Sequence, residues 1–284
     1  MCKSCSTWLL PCLFLSFVLF TPRAQGSESE SVETLQVATE YTLSLPKDIT
    51  LSTLSLTLST TGLVIALRSD SLSEEQLHQL DAHSVNRFDR SATERWSPAA
   101  NTASNVTLIL AVTASLAFIV QKFAVHQKQT GLTLLLMYAE AMGINFGITQ
   151  IVKGAVHRNR PFLYNTELTP EERLSERDPS LSFFSGHTSI AFCSATFLAT
   201  TFSRIHPTSP WRFAVWSGAL TLAAGTGVFR YAAGKHFPTD IMMGALVGSV
   251  TGILIPILHQ KNNRQLTVYP LNGDIRGIGA AISF

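Results

Sequence analysis

Three short clusters of charged and imidazole residues interrupt an otherwise apolar chain. Lys153-Gly-Ala-Val-His-Arg-Asn-Arg160-Pro161 closes one uncharged run, and Phe184-Ser185-Gly186-His187-Thr188 opens the next. Arg230-Tyr-Ala-Ala-Gly-Lys-His236-Phe-Pro-Thr-Asp240 joins the last two runs. Cations beside apolar helices are costly unless they are paired or serve a purpose. Lys153, Arg160 and Arg230, with His187, His236 and Asp240, suit an anion, and phosphate fits best. Ser185-Gly186 at a helix start turns free backbone N–H groups toward such an anion. His236 and Asp240 are four residues apart and share one face at a helix start. A carboxylate there can hold the imidazole in one tautomer and leave its other nitrogen free to attack.

The elements that must position these residues follow from composition. Of 284 residues, 46% are hydrophobic and 14% are charged, against about 25% charged in ordinary soluble domains. That balance excludes a disordered chain. A net charge of +2 with no dense Lys/Arg tract gives no footprint for nucleic acid. Nearly uncharged runs occupy 49–67, 106–120, 131–152, 187–203, 213–229 and 241–258. With flanking residues each approaches the ~20 needed to cross a hydrocarbon core, and backbone groups in lipid must be satisfied within a helix. The first run is the weakest, because eight of its nineteen residues are Ser or Thr. The expected fold is therefore all-α, a polytopic membrane bundle of five to six helices. If successive runs cross alternately, all three clusters meet at one face.

Residues 1–26 read as a signal peptide: Lys3, an apolar stretch from Trp8 to Phe20, then Ala24-Gln25-Gly26. Cys2, Cys5 and Cys12 fall within it, which leaves Cys193 as a buried filler. Residues 27–48 form a polar arm. Segment 49–104 combines the weak transmembrane or surface helix with an amphipathic stretch, in which Leu72, Leu77, Leu80 and Val85 recur near helical spacing. His78 and His83 are solvated. Residues 105–260 form the helical core, and 261–284 form a C-terminal β-hairpin around Asn272-Gly273.

The clusters resemble the three signature motifs of the type 2 phosphatidic acid phosphatase superfamily. Lys-x6-Arg-Pro matches Lys153 to Pro161, Ser-Gly-His matches 185–187, and Arg-x5-His-x3-Asp matches Arg230, His236 and Asp240. Phe184 replaces the usual Pro before Ser-Gly-His, and Phe229 replaces the usual Ser before the third-motif Arg. The resemblance implies a membrane-bound phosphatase acting on a phosphorylated lipid, with hydrolysis through a phosphohistidine. His236 would be the nucleophile, Asp240 its orienting partner, and His187 the acid and base. Lys153, Arg160, Arg230, Ser185 and Gly186 would hold the phosphate. It implies no cofactor and no metal. Related vanadium haloperoxidases use a similar framework, but the membrane-like runs speak against that reading.

Transfer of the phosphoryl group to another lipid would share the first half-reaction, and a soluble periplasmic acid phosphatase is a further alternative. His157, Arg158 and Lys235 are read as headgroup contacts or solvent-facing charge. Glu140 and Asn145 are read as interhelical contacts. Segment 162–184 is either a cap over the site or a solvated connector. The resemblance favours a bacterial inner membrane with the site on the periplasmic face.

Overall fold

The uncharged runs become helices where a capping residue or proline starts them. Helix α3 (Pro98–Ala124) begins with Ser97, whose Oγ accepts the Ala100 N–H at 3.1 Å, followed by Pro98 in the first turn. Helix α8 (Pro238–Leu258) repeats the device with Pro238, and the Asp240 carboxylate accepts the Phe237 N–H at 2.9 Å. The computed structural model describes residues 41–67, 72–174, 178–261, 265–271 and 277–283. The remaining long helices are α1 (Leu45–Leu67), α4 (Lys128–Val156), α6 (Gly186–Ile205) and α7 (Trp211–Ala232). Short helices α2 (Glu74–His78) and α5 (Pro170–Leu174) lie in the connections. Residues 1–40, and with them the leader and most of the polar arm, fall outside the described residues.

Helix α6 packs against α3, α4, α7 and α8, while α1 lies along α4. The start of α3, the end of α4, the start of α6, the end of α7 and the start of α8 share one level. Close approach of α8 to α6 depends on Gly244, Gly248 and Gly252. A Cβ on any of them would collide with the Ser185, Ser189 or Cys193 carbonyl. The main core cluster joins Phe118, Leu134, Met137, Tyr138, Ile144 and Phe197 from α3, α4 and α6.

Four helical segments are long and apolar enough to cross a membrane: Leu45–Leu67, Pro98–Ala124, Lys128–Tyr164 and Pro238–Leu258. The chain is a multi-pass membrane protein of all-α type. The Ser/Thr-rich first run proves to be a full 23-residue helix. Four of its hydroxyls bond within the helix or to α4: Thr50 and Thr60 donate to carbonyls of the preceding turn, Ser52 to Glu140 at 2.7 Å and Ser59 to the Gly143 carbonyl at 2.9 Å. Runs 187–203 and 213–229 are helical but fall short of that apolar standard. For α6 the reason is its central position, where Thr188, Ser189, Ser194, Thr196 and Thr201 are buried against other helices rather than lipid.

The amphipathic stretch departs from the single surface helix expected. Among its described residues before α3 it contains the five-residue α2 and two short 3-10 turns, at Ala82–Ser84 and Arg90–Ala92. Asp81 ends the helical path by capping the first of these turns, accepting the His83 N–H at 2.8 Å. The leucine stripe therefore does not meet lipid as one face. Leu77 is buried against Phe162 and Leu163, with Leu72 and Leu80 beside it. Beyond α8, β1 (Gln265–Leu271) pairs antiparallel with β2 (Gly277–Ser283), and the Asn272-Gly273 position lies outside the described residues.

Candidate active site

Helix α4 ends at His157, whose left-handed φ of 49° turns the chain back across the helix ends. His157 itself is exposed, as expected. Lys153, in the last turn of α4, donates from Nζ to the Leu181 carbonyl. Arg160 is held by segment 178–182: its N–H reaches the Pro179 carbonyl at 2.9 Å and its Nε the Asp178 carbonyl at 2.8 Å. Pro161–Tyr164 then forms a buried 3-10 turn whose Phe162 N–H donates to the Gly234 carbonyl at 3.0 Å. Gly234 has φ +68°, and a Cβ there would collide with the Arg95 carbonyl. The two ends of segment 162–184, at 162–165 and 178–184, thus pack at the site, while Thr166, Glu167, Thr169, Glu171 and Glu172 between them are exposed.

Ser185 caps α6, accepting the Thr188 N–H at 3.3 Å and the Thr188 hydroxyl at 2.8 Å, while its own hydroxyl proton stays available. Gly186 is the first residue of the helix, adjacent to Lys153. His187 pairs through Nε2 with Asn105 Oδ1 at 2.9 Å. Arg230, at the end of α7 and 4% exposed, donates from Nη1 to Asn101 Oδ1 at 2.6 Å. The first turns of α3 therefore hold two of the predicted residues.

His236 sits in the turn between α7 and α8, 1% exposed. Its Nδ1 lies 2.9 Å from the Ser182 carbonyl, which can only accept, so Nδ1 carries the proton and Nε2 the lone pair. Asp240 is not its direct hydrogen-bond partner, since the Nδ1 to Oδ2 separation is 3.7 Å. The expected orienting contact is thus replaced by a main-chain one. Asp240 Oδ2 instead accepts from Ser182 Oγ at 2.5 Å and from the Phe237 N–H. One carboxylate thereby ties together the two segments that flank the imidazole. Burial, then the charges of Lys153, Arg230 and Arg160, hold His236 well below the ordinary value of 6.5. The ring is thereby held toward its neutral form.

Arg158 and Lys235 are not solvent-facing charges. Arg158 bridges two carboxylates, Asp240 Oδ1 at 2.6 Å and Asp89 Oδ2 at 2.8 Å, with its guanidinium 3.9 Å from the Phe237 ring centroid. Lys235 is 3% exposed, over Trp96 at 4.8 Å and Phe162 at 4.6 Å. Asp89 also accepts the Thr239 N–H at 3.0 Å, the Thr239 hydroxyl at 2.7 Å and Asn86 Nδ2 at 2.8 Å. Burial raises the Asp89 pKa, but these donors outweigh it and hold the carboxyl below its ordinary value. Glu140 and Asn145 make the interhelical contacts expected of them, with Ser52 and with Ser189.

Sequence reading alone misses Asp89, Asn101, Asn105 and Ser182. Only Asn101 and Asn105 leave a signal, being amides four apart at the start of an apolar run. Among the described residues, no group of three or more His, Cys, Asp and Glu side chains is placed to hold a metal ion.

Three cations, two imidazoles and a helix N-terminus are gathered at one end of a bundle of apolar helices, an arrangement whose chemistry suits an anion. Residues 134–264 match the PAP2 superfamily model. The match spans 131 of the 284 residues, a little under half of the chain. It is 32% identical over 123 residues to the bacitracin transport permease protein BcrC of Bacillus licheniformis. That alignment covers 43% of this chain and 54% of BcrC, so the match spans about half of that relative's length. Two solved structures are also similar. One is a transmembrane PAP2-type phosphatidylglycerolphosphate phosphatase from Bacillus subtilis, at 21% identity and a TM-score of 0.46, covering 75% of this chain and 95% of that one. The other is LpxE of Aquifex aeolicus, at 22% identity and a TM-score of 0.41, covering 58% and 90% respectively.

Proposed function

We propose that the protein is an integral-membrane phosphatase that hydrolyses a phosphate monoester or diphosphate of a lipid through a phosphohistidine. The observation carrying this reading is His236, neutral, with Nδ1–H fixed on the Ser182 carbonyl and Nε2 free among Lys153, Arg160 and Arg230. In the first step Nε2 forms a bond to phosphorus as the bond to the leaving oxygen breaks. His187 supplies the proton that this oxygen takes up. In the second step water attacks the phosphohistidine, His187 accepts its proton, and the P–N bond returns its electron pair to His236. Lys153, Arg160 and Arg230 hold the non-bridging oxygens, with the Gly186 N–H and the Ser185 hydroxyl. Asp240 orients His236 indirectly, through Ser182 and the Phe237 N–H. No step as written requires a metal or cofactor.

Lateral entry from lipid suits a substrate whose head reaches the helix ends; phosphatidate-like, prenyl diphosphate and phosphorylated lipid A substrates are all compatible. The end of the bundle opposite the site carries Lys47, Lys122, Lys128, Arg204, Arg212 and Lys261. The site end carries more, at Arg87, Arg90, Arg95, Lys153, Arg158, Arg160, Arg173, Arg230 and Lys235, so the cation count does not set the orientation; the family resemblance favours the periplasmic face of a bacterial inner membrane for the site.

The test is phosphate release by detergent-purified protein from these three substrate types, with His236→Ala beside wild type. The expected result is release by wild type, an acid-labile phosphoenzyme, and loss of both in the variant. Unchanged turnover in His236→Ala would sink the nucleophile assignment. Phosphate appearing on an added lipid alcohol rather than in solution would make the enzyme a phosphotransferase.

A further inference from the structure

We propose that Asp89, in the segment between α2 and α3, is a positioning residue that sets the charge and place of Asp240 through Arg158. The proposal rests on the phosphatase reading and extends it to a residue outside the PAP2 match.

Asp89 is fully buried, accepts hydrogen bonds from three side chains and one backbone N–H, and meets α8 at its first turn through Thr239. An anion at that position is favoured by the helix N-terminus. Its reach into the site runs through one guanidinium. Arg158 gives Nη2 to Asp89 and Nη1 to Asp240, so its single positive charge is shared between two carboxylates. The Asp89–Arg158–Asp240 group therefore carries a net charge of about −1 when both acids are ionised. With Asp89 neutral, Arg158 would cancel Asp240 alone, and the group would carry none.

That difference matters at His236. Its ring lies among Lys153, Arg230 and Arg160, all of which oppose positive charge on the imidazole. Attack on phosphorus places positive charge on the ring, and Asp240 Oδ2, 3.7 Å from Nδ1, is the anion facing it. Asp89 keeps that anion uncompensated. It also holds the Arg158 guanidinium over the ring of Phe237, the residue next to His236, and thereby fixes the turn.

The experiment compares Asp89→Asn, Asp89→Glu and Asp81→Asn with wild type in detergent. Active molecules are counted by acid-labile phosphoenzyme after rapid mixing with a prenyl diphosphate. Asp89→Asn keeps the shape and most hydrogen bonds but loses the charge. Its kcat per active molecule should fall about tenfold or more, with KM within about twofold. Asp89→Glu should recover part of this, and Asp81→Asn, on an exposed turn, should match wild type. The His236 titration, followed by histidine-selective NMR, should move to lower pH in Asp89→Asn. A wild-type kcat per active molecule in Asp89→Asn would overturn the proposal, as would a loss expressed only in KM. Wild type that releases no phosphate would overturn the phosphatase reading instead. The NMR shift then decides the Asp89 link, and an unmoved His236 titration would overturn it.

Discussion

The His236 imidazole hydrogen-bonds the Ser182 carbonyl at 2.9 Å, while Asp240, four residues further along, stands 3.7 Å from the same nitrogen. A carbonyl oxygen has no protonated form in the working pH range, so the tautomer is fixed without a titrating partner. The carboxylate is thereby left to organise the backbone around the ring.

This arrangement sets the acid side of the pH response. A nucleophilic imidazole works only when neutral, and its pKa here is depressed, first by burial and then by three cations. As pH falls through the ordinary histidine value of about 6.5, His236 should stay neutral. Histidine-selective NMR, with His236→Gln to assign the signal, should show it titrating below every exposed histidine. A His236 midpoint at or above the ordinary value would contradict the electrostatic account.

Helix spacing makes opposite predictions for two glycines. A Cβ at Gly248 would strike the Ser189 carbonyl, so Gly248→Ala should force α8 off α6 and cost about 1–3 kcal/mol. Gly218 in α7 has nothing within 4 Å of such a Cβ, and Gly218→Ala should be neutral or stabilising by up to about 1 kcal/mol. Thermal unfolding in detergent separates the two. Equal shifts would mean that the α6–α8 contact is not rigid.

At the opposite end of the bundle, His259 Nε2 faces Asp48 at 3.1 Å and Glu140 at 3.4 Å, drawing α1 and α4 to the end of α8. His259 Nδ1 is engaged by the Ile255 carbonyl at 2.9 Å, which turns Nε2 toward the two acids. His259→Leu removes the imidazole that faces both carboxylates, of which Glu140 is buried, and should cost about 1–3 kcal/mol. The loss should shrink when Asp48→Asn is added. A double variant with strictly additive losses would show that the three groups are not coupled.

Sidedness can be read by labelling intact cells. Helix α1 runs alongside α4 with its C-terminal end at the site level, so Leu45 lies at the end of the bundle opposite the site. With the site facing the periplasm, Asp81→Cys should react with an impermeant maleimide and Gln129→Cys should not. The reverse pattern would put the site in the cytoplasm, the arrangement that a cleaved leader followed by a crossing α1 requires.

The motif residues are legible in the sequence because Lys153, Arg160, His187, Arg230 and His236 are costly beside apolar helices, and each stands at a break in periodicity. Alternating helices gather them without any knowledge of distances. Asp89 is not legible, because it lies 69 residues from Arg158 in a polar stretch where acids are ordinary. Arg158 and Lys235 mislead for a related reason: a cation at a helix end looks solvated until the loops that bury it are known. The surface-helix reading of 68–104 fails where Asp81 turns the chain, a local hydrogen bond outweighing a leucine pattern of moderate regularity.

The segment from Leu72 to Trp96 carries Asp89 into the ends of α4 and α8, although every motif residue lies downstream of it. A graft of residues 134–264 onto another set of helices would carry all three motifs intact. It would nevertheless arrive with Arg158 leaning on Asp240 alone. The transferable unit of this architecture is therefore larger than the stretch that identifies it, and its upstream boundary lies before α3.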